Sequence, residues 1–160
     1  MKKLILLFFL LCIFVSCSFD EYGFEFDEKS FNIAKEKWES LGLENYSFDI
    51  YGETCKFTDY FHGNVIVNDN IGKISFDKYT LKEWNIKTFD DLFSEIYKSY
   101  QNAKKGYSAG KYDLVSYKID YDETYFYPKS AEIRVHKGSD KEVQGVLFYF
   151  YIADFKILKN

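Results

Sequence analysis

The segment 146–152 constrains the fold more than any other part of the sequence, because it is apolar on both faces. It consists of aromatic, β-branched and leucine side chains, a composition that favours a strand. It is also far shorter than the roughly 20 residues that a membrane-spanning helix needs. A strand with two apolar faces is typical of the middle of a sheet. The sequence therefore predicts a sheet whose central strand lies within 143–157.

Other segments alternate between apolar and polar residues, as half-buried strands do. The clearest runs from Tyr46 to Ile50, where Ser47 and Asp49 occupy the alternate positions. Turn-forming residues at 68–72 predict a hairpin with a longer loop. The further predicted strands are 61–67, 73–79, 115–121 and 131–135.

Two segments instead have helical periodicity. In the first, apolar residues recur every three or four positions from Phe31 to Leu41, with Trp38 as the expected core anchor. Ser30 is its predicted N-cap, and Gly42 is expected to end it in a left-handed turn.

The second helix is predicted to begin near Thr88, which forms an approximate capping box with Asp91. Gly106 and Gly110 are expected to interrupt this helix and begin a loop. Its apolar stripe consists of Phe89, Leu92, Phe93, Ile96, Tyr97 and Tyr100.

Helices and strands follow one another in the order α-βββ-α-βββ. Such blocks, joined mostly by hairpins, predict an α+β fold. We expect two helices packed on one face of a twisted, mainly antiparallel sheet of about six strands. Residues 30–160 are long enough to form this as a single domain.

The amino terminus has the features of a bacterial lipoprotein signal peptide, predicted over residues 1–16. Two lysines precede an apolar run of about a dozen residues, and Ser16 precedes Cys17. This junction resembles a lipobox, in which the cysteine is acylated and becomes the new amino terminus. Residues 17–29 would then be a lipidated tether. The alternatives are a plain cleaved signal peptide or an uncleaved anchor.

The net charge and the number of cysteines exclude some partners and some covalent bonds. Removing Lys2 and Lys3 with the signal changes the net charge from −4 to −6. An acidic chain without a basic run lacks the electrostatic surface that binds nucleic acid. With Cys17 acylated, Cys55 is the one cysteine left in the mature chain, which excludes an intramolecular disulfide.

Ser18 follows Cys17 at the position where an aspartate retains lipoproteins at the inner membrane of enteric bacteria. The absence of that aspartate favours the outer membrane or cell surface.

The mature domain also resembles a known family over roughly residues 36–156. The matching residues are Trp38, Tyr46-Ser47-Phe48, Cys55, Val65-Ile66-Val67-Asn68-Asp69, Thr88-Phe89-Asp90-Asp91-Leu92-Phe93, Asp120-Tyr121-Asp122, Tyr127-Pro128 and Ile152-Ala153-Asp154-Phe155. Their order and spacing resemble DUF6174, a family found mostly in exported bacterial lipoproteins. The resemblance implies an envelope location and adds no activity, because the family has none established.

Cys55, Asp59 and His62 are the best candidates for catalysis. His62, oriented by Asp59, would activate the Cys55 thiol as a nucleophile. A small, partly buried cysteine beside a surface histidine is the simpler interpretation, because the segment has no oxyanion-hole motif. A metal site is not expected, since His62 and His136 are 74 residues apart and zinc ligands usually come in closely spaced pairs.

Paired carboxylates are the other catalytic possibility. Asp90 and Asp91 are better explained by the start of a helix, where carboxylates are stabilised. Asp120 and Asp122 are better explained by a turn.

The sequence therefore favours a non-enzymatic binding module over an enzyme. Aromatic residues make up 21% of the chain. Most would fill the core, and an exposed set on the sheet would contact a sugar or a protein. We expect an envelope lipoprotein, anchored to the membrane by its lipid, whose partner is an envelope protein or a ligand. No cofactor is predicted. The alternative is an envelope hydrolase that uses Cys55 and His62, or paired carboxylates.

Replacing Cys17 by Ala should abolish acylation, because the thiol is the only acceptor in the predicted lipobox. Cells grown with an alkyne-bearing fatty acid should label the natural chain and leave the Cys17→Ala variant unlabelled. A Cys12→Ala variant, which changes a thiol inside the apolar run, should still be labelled. Labelling of both variants would refute Cys17 as the lipidated residue.

Overall fold

The computed structural model describes residues 23–54, 60–78, 80, 86–136 and 143–159. They form two helices and seven strands, so the chain is an α+β protein as predicted. In chain order the elements are β1 (Gly23–Glu25), α1 (Glu28–Ser40), β2 (Tyr46–Thr54), β3 (Tyr60–Asn68), β4 (Ile71–Phe76), α2 (Phe89–Ser108), β5 (Leu114–Tyr121), β6 (Pro128–His136) and β7 (Val143–Ile157).

The described strands form one sheet in the order β1-β5-β6-β7-β2-β3-β4. The last strand, β7, therefore lies at the centre, between β6 and β2, and its bounds agree with the predicted 143–157. The helix layer accounts for one apolar face of this strand, where Phe150 and Ile152 are buried, whereas Tyr149 and Tyr151 on the other face are 37% and 40% exposed. The prediction of a central strand is confirmed.

The prediction of about six strands was wrong by one, and the sheet is mixed. The additional strand is β1, which pairs in parallel with β5, whereas the other pairings are antiparallel. Three residues are too few to show a period of two, so alternation cannot reveal such a strand. β1 lies inside the segment that was predicted to be a tether.

Helix α1 begins three residues earlier than predicted. Its N-cap is Asp27, whose carboxylate accepts a hydrogen bond from the backbone N–H of Ser30 at 2.9 Å. Ser30 was therefore wrongly predicted as the cap, because aspartate performs the same function one turn earlier. The end of the helix is as predicted, since Gly42 follows it with φ +58°.

Helix α2 begins as predicted. Thr88 is its N-cap and accepts a hydrogen bond from the N–H of Asp91 at 3.0 Å, while the Asp91 carboxylate accepts one from the N–H of Lys87. The helix continues through Gly106, which was expected to interrupt it, and ends at Ser108. A Cβ at Gly106 would lie 2.7 Å from the ring of Tyr112, so this glycine is explained by packing.

The hairpin between β3 and β4 is tighter than predicted. Asp69 and Asn70 alone connect the strands, with φ of +49° and +63°. Positive φ at both central residues is typical of the type I′ turn, whose twist matches that of paired strands. Aspartate and asparagine tolerate this conformation better than most residues. Two residues therefore suffice for the turn, and the rest of 68–72 belongs to the strands.

Both helices pack on one face of the sheet, as predicted, and Phe89 lies at the centre of their contact with it. The Phe89 ring is fully buried and lies 4.8 Å from Trp38, 4.3 Å from Phe48 and 4.5 Å from Tyr127. Its backbone N–H donates to the hydroxyl oxygen of Tyr46 at 3.2 Å, and burial raises the pKa of that tyrosine to about 12. Phe89 thus joins α1 and α2 to strand β2 and to the turn between β5 and β6.

Within the described part of the chain, no helix combines the length and the apolar character needed to cross a membrane.

Replacing Phe89 by Ala should lower the free energy of unfolding by about 3–5 kcal/mol, as is usual for a large aromatic in a packed core. Ile33→Ala is the matched control, because Ile33 lies on α1 with 43% of its surface exposed. Urea denaturation followed by circular dichroism measures both. A loss below about 1 kcal/mol for Phe89→Ala would contradict its central position.

Candidate functional site

The face of the sheet opposite the helices carries the candidate site, and we call it the open face. Its residues alternate with the core residues along each strand, so their positions follow from the strand register. Several large aromatic residues are exposed there, with 37–40% of the surface of Tyr60, Tyr149 and Tyr151 accessible. The open face also carries Asp49, Tyr51, Glu53, His62, Asn64, Lys118, Asp120, Ser130, Glu132 and Arg134.

Three rings form an aromatic ladder across neighbouring strands of this face. Tyr51 on β2 is paired in register with His62 on β3 and with Tyr151 on β7. The Tyr51 ring lies 4.1 Å from the His62 ring and 4.7 Å from the Tyr151 ring, within 7° of parallel in both cases. These distances are close to the spacing between strands. The rings therefore stand side by side with their π-faces against each other, and Tyr51 is enclosed on both sides.

A cleft of about 740 Å³ adjoins the end of the ladder at Tyr151. Across β6 and β5, the same row continues with Ser130 and then Asp120. The small Ser130 side chain donates a hydrogen bond to the Asp120 carboxylate at 3.0 Å and leaves space above it. The outer π-face of Tyr151 is thus one wall of the cleft. The lining is completed by Tyr121, Asp122, Glu123, Thr124, Lys129 and Ile152.

Carboxylates surround the tyrosines of this face. Glu53 is in register with Tyr60 on one side and Tyr149 on the other. The pKa of Tyr51 is raised by desolvation first and then by the charge of Asp49. The pKa of Tyr60 is raised by the same two effects, the nearby charge being that of Asp77. The local potential around these tyrosines is therefore negative.

His62 belongs to this ladder. Its Nδ1 lies 3.2 Å from a carboxylate oxygen of Asp77, and its backbone N–H donates to the Thr80 hydroxyl. The expected orienting partner, Asp59, and the expected nucleophile, Cys55, lie outside the described residues. The His62 Nε2 atom is buried and has no hydrogen-bond partner among the described residues. Stacking on Tyr51 and a bond to Asp77 hold the ring in position.

The four carboxylates considered in the sequence divide between caps, turns and the cleft. Asp90 accepts a hydrogen bond from the Trp38 indole at 3.2 Å, and Asp91 belongs to the N-terminal cap of α2. Asp122 shapes the turn as predicted, because its carboxylate accepts from the N–H groups of Thr124 and Tyr125. Asp120 was assigned to the turn as well, but it lies on β5 and faces the cleft.

The residues weighed as metal ligands are not brought together. His62 lies on β3 and His136 on β6, with β2 and β7 between them, and three strand spacings amount to roughly 14 Å. The described residues contain no cluster of three or more His, Cys, Asp or Glu side chains suited to a metal ion. Cys17, the predicted lipidation site, lies outside the described residues.

Comparison with known proteins gives a family for this fold and site. Residues 30–156 match DUF6174, a family of unknown function. The match covers most of the chain, so the protein belongs to this family. No curated protein and no solved structure matches the chain significantly.

The sequence did not reveal the ladder or the cleft. One signal was available in the alternating strand 46–50. Phe48 and Ile50 point to the core, so Tyr51, the next residue, points to the other face of the sheet. Tyr149 and Tyr151 had no such signal, because both faces of β7 are apolar. Which rings stack on which depends on the register between strands, which a single sequence does not specify.

The ladder predicts measurable coupling between Tyr51 and Tyr151. Replacing each by Leu, singly and together, should give a coupling energy of about 0.5–1.5 kcal/mol in unfolding experiments, the range for stacked aromatic pairs. A second cycle with Tyr51→Leu and Tyr97→Leu, a ring on α2, should be additive because the two residues share no contact. Additivity in both cycles would contradict a stacked ladder.

Proposed function

We propose that this protein is a non-enzymatic binding module, held at the bacterial cell envelope by a lipid on Cys17, that binds its partner across the open face. The observation that carries this proposal is the aromatic ladder, which ends at an open cleft instead of in the core. Exposed, contiguous aromatic residues are unusual on the surface of a protein and commonly mark an interaction site.

The two faces of the sheet support this interpretation by contrast. The core already contains enough aromatic residues to hold both helices, among them Trp38, Phe48 and Phe89. The tyrosines of the open face contribute nothing to that core. Tyrosine combines a large apolar ring with a polar hydroxyl and loses little conformational freedom on binding, so it suits an interface exposed to water.

The position of β1 supports a role close to a membrane. Cys17 and Gly23, the first residue of β1, are six residues apart. Covalent geometry limits that distance to roughly 20 Å. With a lipid on Cys17, the edge strand β1 would stay within this distance of the bilayer surface. A partner at the same membrane would then encounter the open face at a high effective concentration. The outer membrane or cell surface is our proposed location, on the basis of Ser18.

A hydrolase is the second candidate, and one contact favours it. The Asp77 carboxylate bound to His62 Nδ1 is the arrangement that orients a catalytic histidine in nucleophilic enzymes. In the same side chain, however, Nε2 is buried and the ring is stacked on Tyr51. A general base has to reach the proton that it removes. These features favour a positioning role for His62, so the binding module is our first proposal.

Photocrosslinking in intact cells tests the use of the open face. A benzoyl-phenylalanine placed at Tyr149 should yield an adduct of defined mass, whereas the same residue at Tyr97 on α2 should not. The two positions are matched in exposure, at 37% and 39%. The Tyr149 adduct should be reduced in the Cys17→Ala variant, because the lipid no longer anchors the mature domain. Equal adducts from both positions, or none from Tyr149, would contradict the proposal.

A further inference from the structure

We propose that the cleft beside Tyr151 binds the lysine and arginine side chains of an extended, basic segment in a partner protein. This inference rests on the proposed function and names the chemistry of the partner. It starts from the geometry of the ladder, where Tyr51 is enclosed by its neighbours and one face of Tyr151 borders the cleft. That face is the π-surface available to a ligand at this end of the row.

The cleft places this π-face and a carboxylate on opposite sides of a gap. Tyr151 and Asp120 belong to the same row, with Ser130 between them. Two strand spacings separate their backbones by roughly 9–10 Å. An ammonium or guanidinium group above Ser130 would lie within the roughly 6 Å at which a cation interacts with an aromatic face. It would also be close enough to Asp120 to form an ion pair.

Charge complementarity selects a cationic group over a neutral or anionic one. Among the residues that line the cleft, Asp120, Asp122 and Glu123 are acidic and Lys129 is basic. Arg134, farther along the open face, is already bound to Glu132 at 3.0 Å. The cleft therefore has a net negative charge next to an electron-rich ring. Both attract a cation, and neither attracts an anion.

The carboxylates of the open face are spread too far apart for one small cation, which favours an extended peptide as the ligand. Asp120 lies on β5, whereas Asp49 and Glu53 lie on β2, three strands away in the order of the sheet. This separation is roughly 14 Å, which an extended chain of about five residues spans. Each contact is weak, since exposed ion pairs and cation–π contacts contribute little individually. A partner therefore needs several basic side chains spaced along one segment.

The test measures binding of a fluorescent lysine hexapeptide to the full-length chain in a nonionic polyoxyethylene detergent. Binding should weaken as salt is raised, because exposed charges are screened. Asp120→Asn and Tyr151→Leu should each weaken it about three- to fivefold. Glu36→Gln on α1 and Tyr97→Leu on α2 are the controls and should change it less than twofold. Thermal unfolding of each variant shows whether the fold is retained.

Other occupants of the cleft give different results. A glutamate hexapeptide that binds as well as the lysine peptide, or an Asp120→Asn variant that binds it unchanged, would overturn the inference. So would tight binding of a neutral oligosaccharide, or of spermidine, without binding of the lysine peptide. If the lysine peptide does not bind while the crosslink at Tyr149 is still formed, the inference of a basic partner is wrong and the open face remains the proposed binding surface. If both fail, the proposed function is wrong as well.

Discussion

The packing of Phe89 against the sheet is the contact on which the rest of the structure depends. Its ring touches α1 through Trp38 and the sheet through Phe48, and its backbone is held by the Tyr46 hydroxyl. Because this contact lies at the first turn of α2, it also fixes where that helix begins. The capping residue Thr88 is therefore held by packing on one side and by a local hydrogen bond on the other.

A rigid helix layer allows the opposite face of the sheet to be specialised. The helices pack on the other side of the sheet, so the outward residues are not needed to hold them and can be tyrosines and carboxylates. Tyr51 illustrates this division, because it is stacked on two neighbours yet contributes nothing to the core. The same backbone that aligns Phe48 and Ile50 toward the helices places Tyr51 on the open face.

Much of this architecture could be predicted from the sequence, and the limits have physical causes. Periodicity revealed both helices and the long strands because burial of one face imposes a repeat on the residues. It did not reveal β1, whose three residues depend on pairing with a segment 91 positions away. Likewise, Asp120 and Tyr151 form one cleft because of register across three strands, whereas neighbouring residues such as Asp122 could be assigned from local turn chemistry. Local rules thus identified the Thr88 cap and the Asp122 turn, although they misplaced the cap of α1, and the candidate site arose from long-range pairing.

The position of β7 has a consequence for how the chain folds. Its residues are synthesised after those of the other described strands, yet they pair with β2, with Ile157 opposite Tyr46. Contacts between segments so distant in sequence are slow to form, because a long loop must be closed first. Until β7 is available, β2 and β6 each lack a neighbour and the two halves of the sheet share no hydrogen-bonded strand pair. The growing chain therefore cannot complete this sheet until the residues of β7 have emerged.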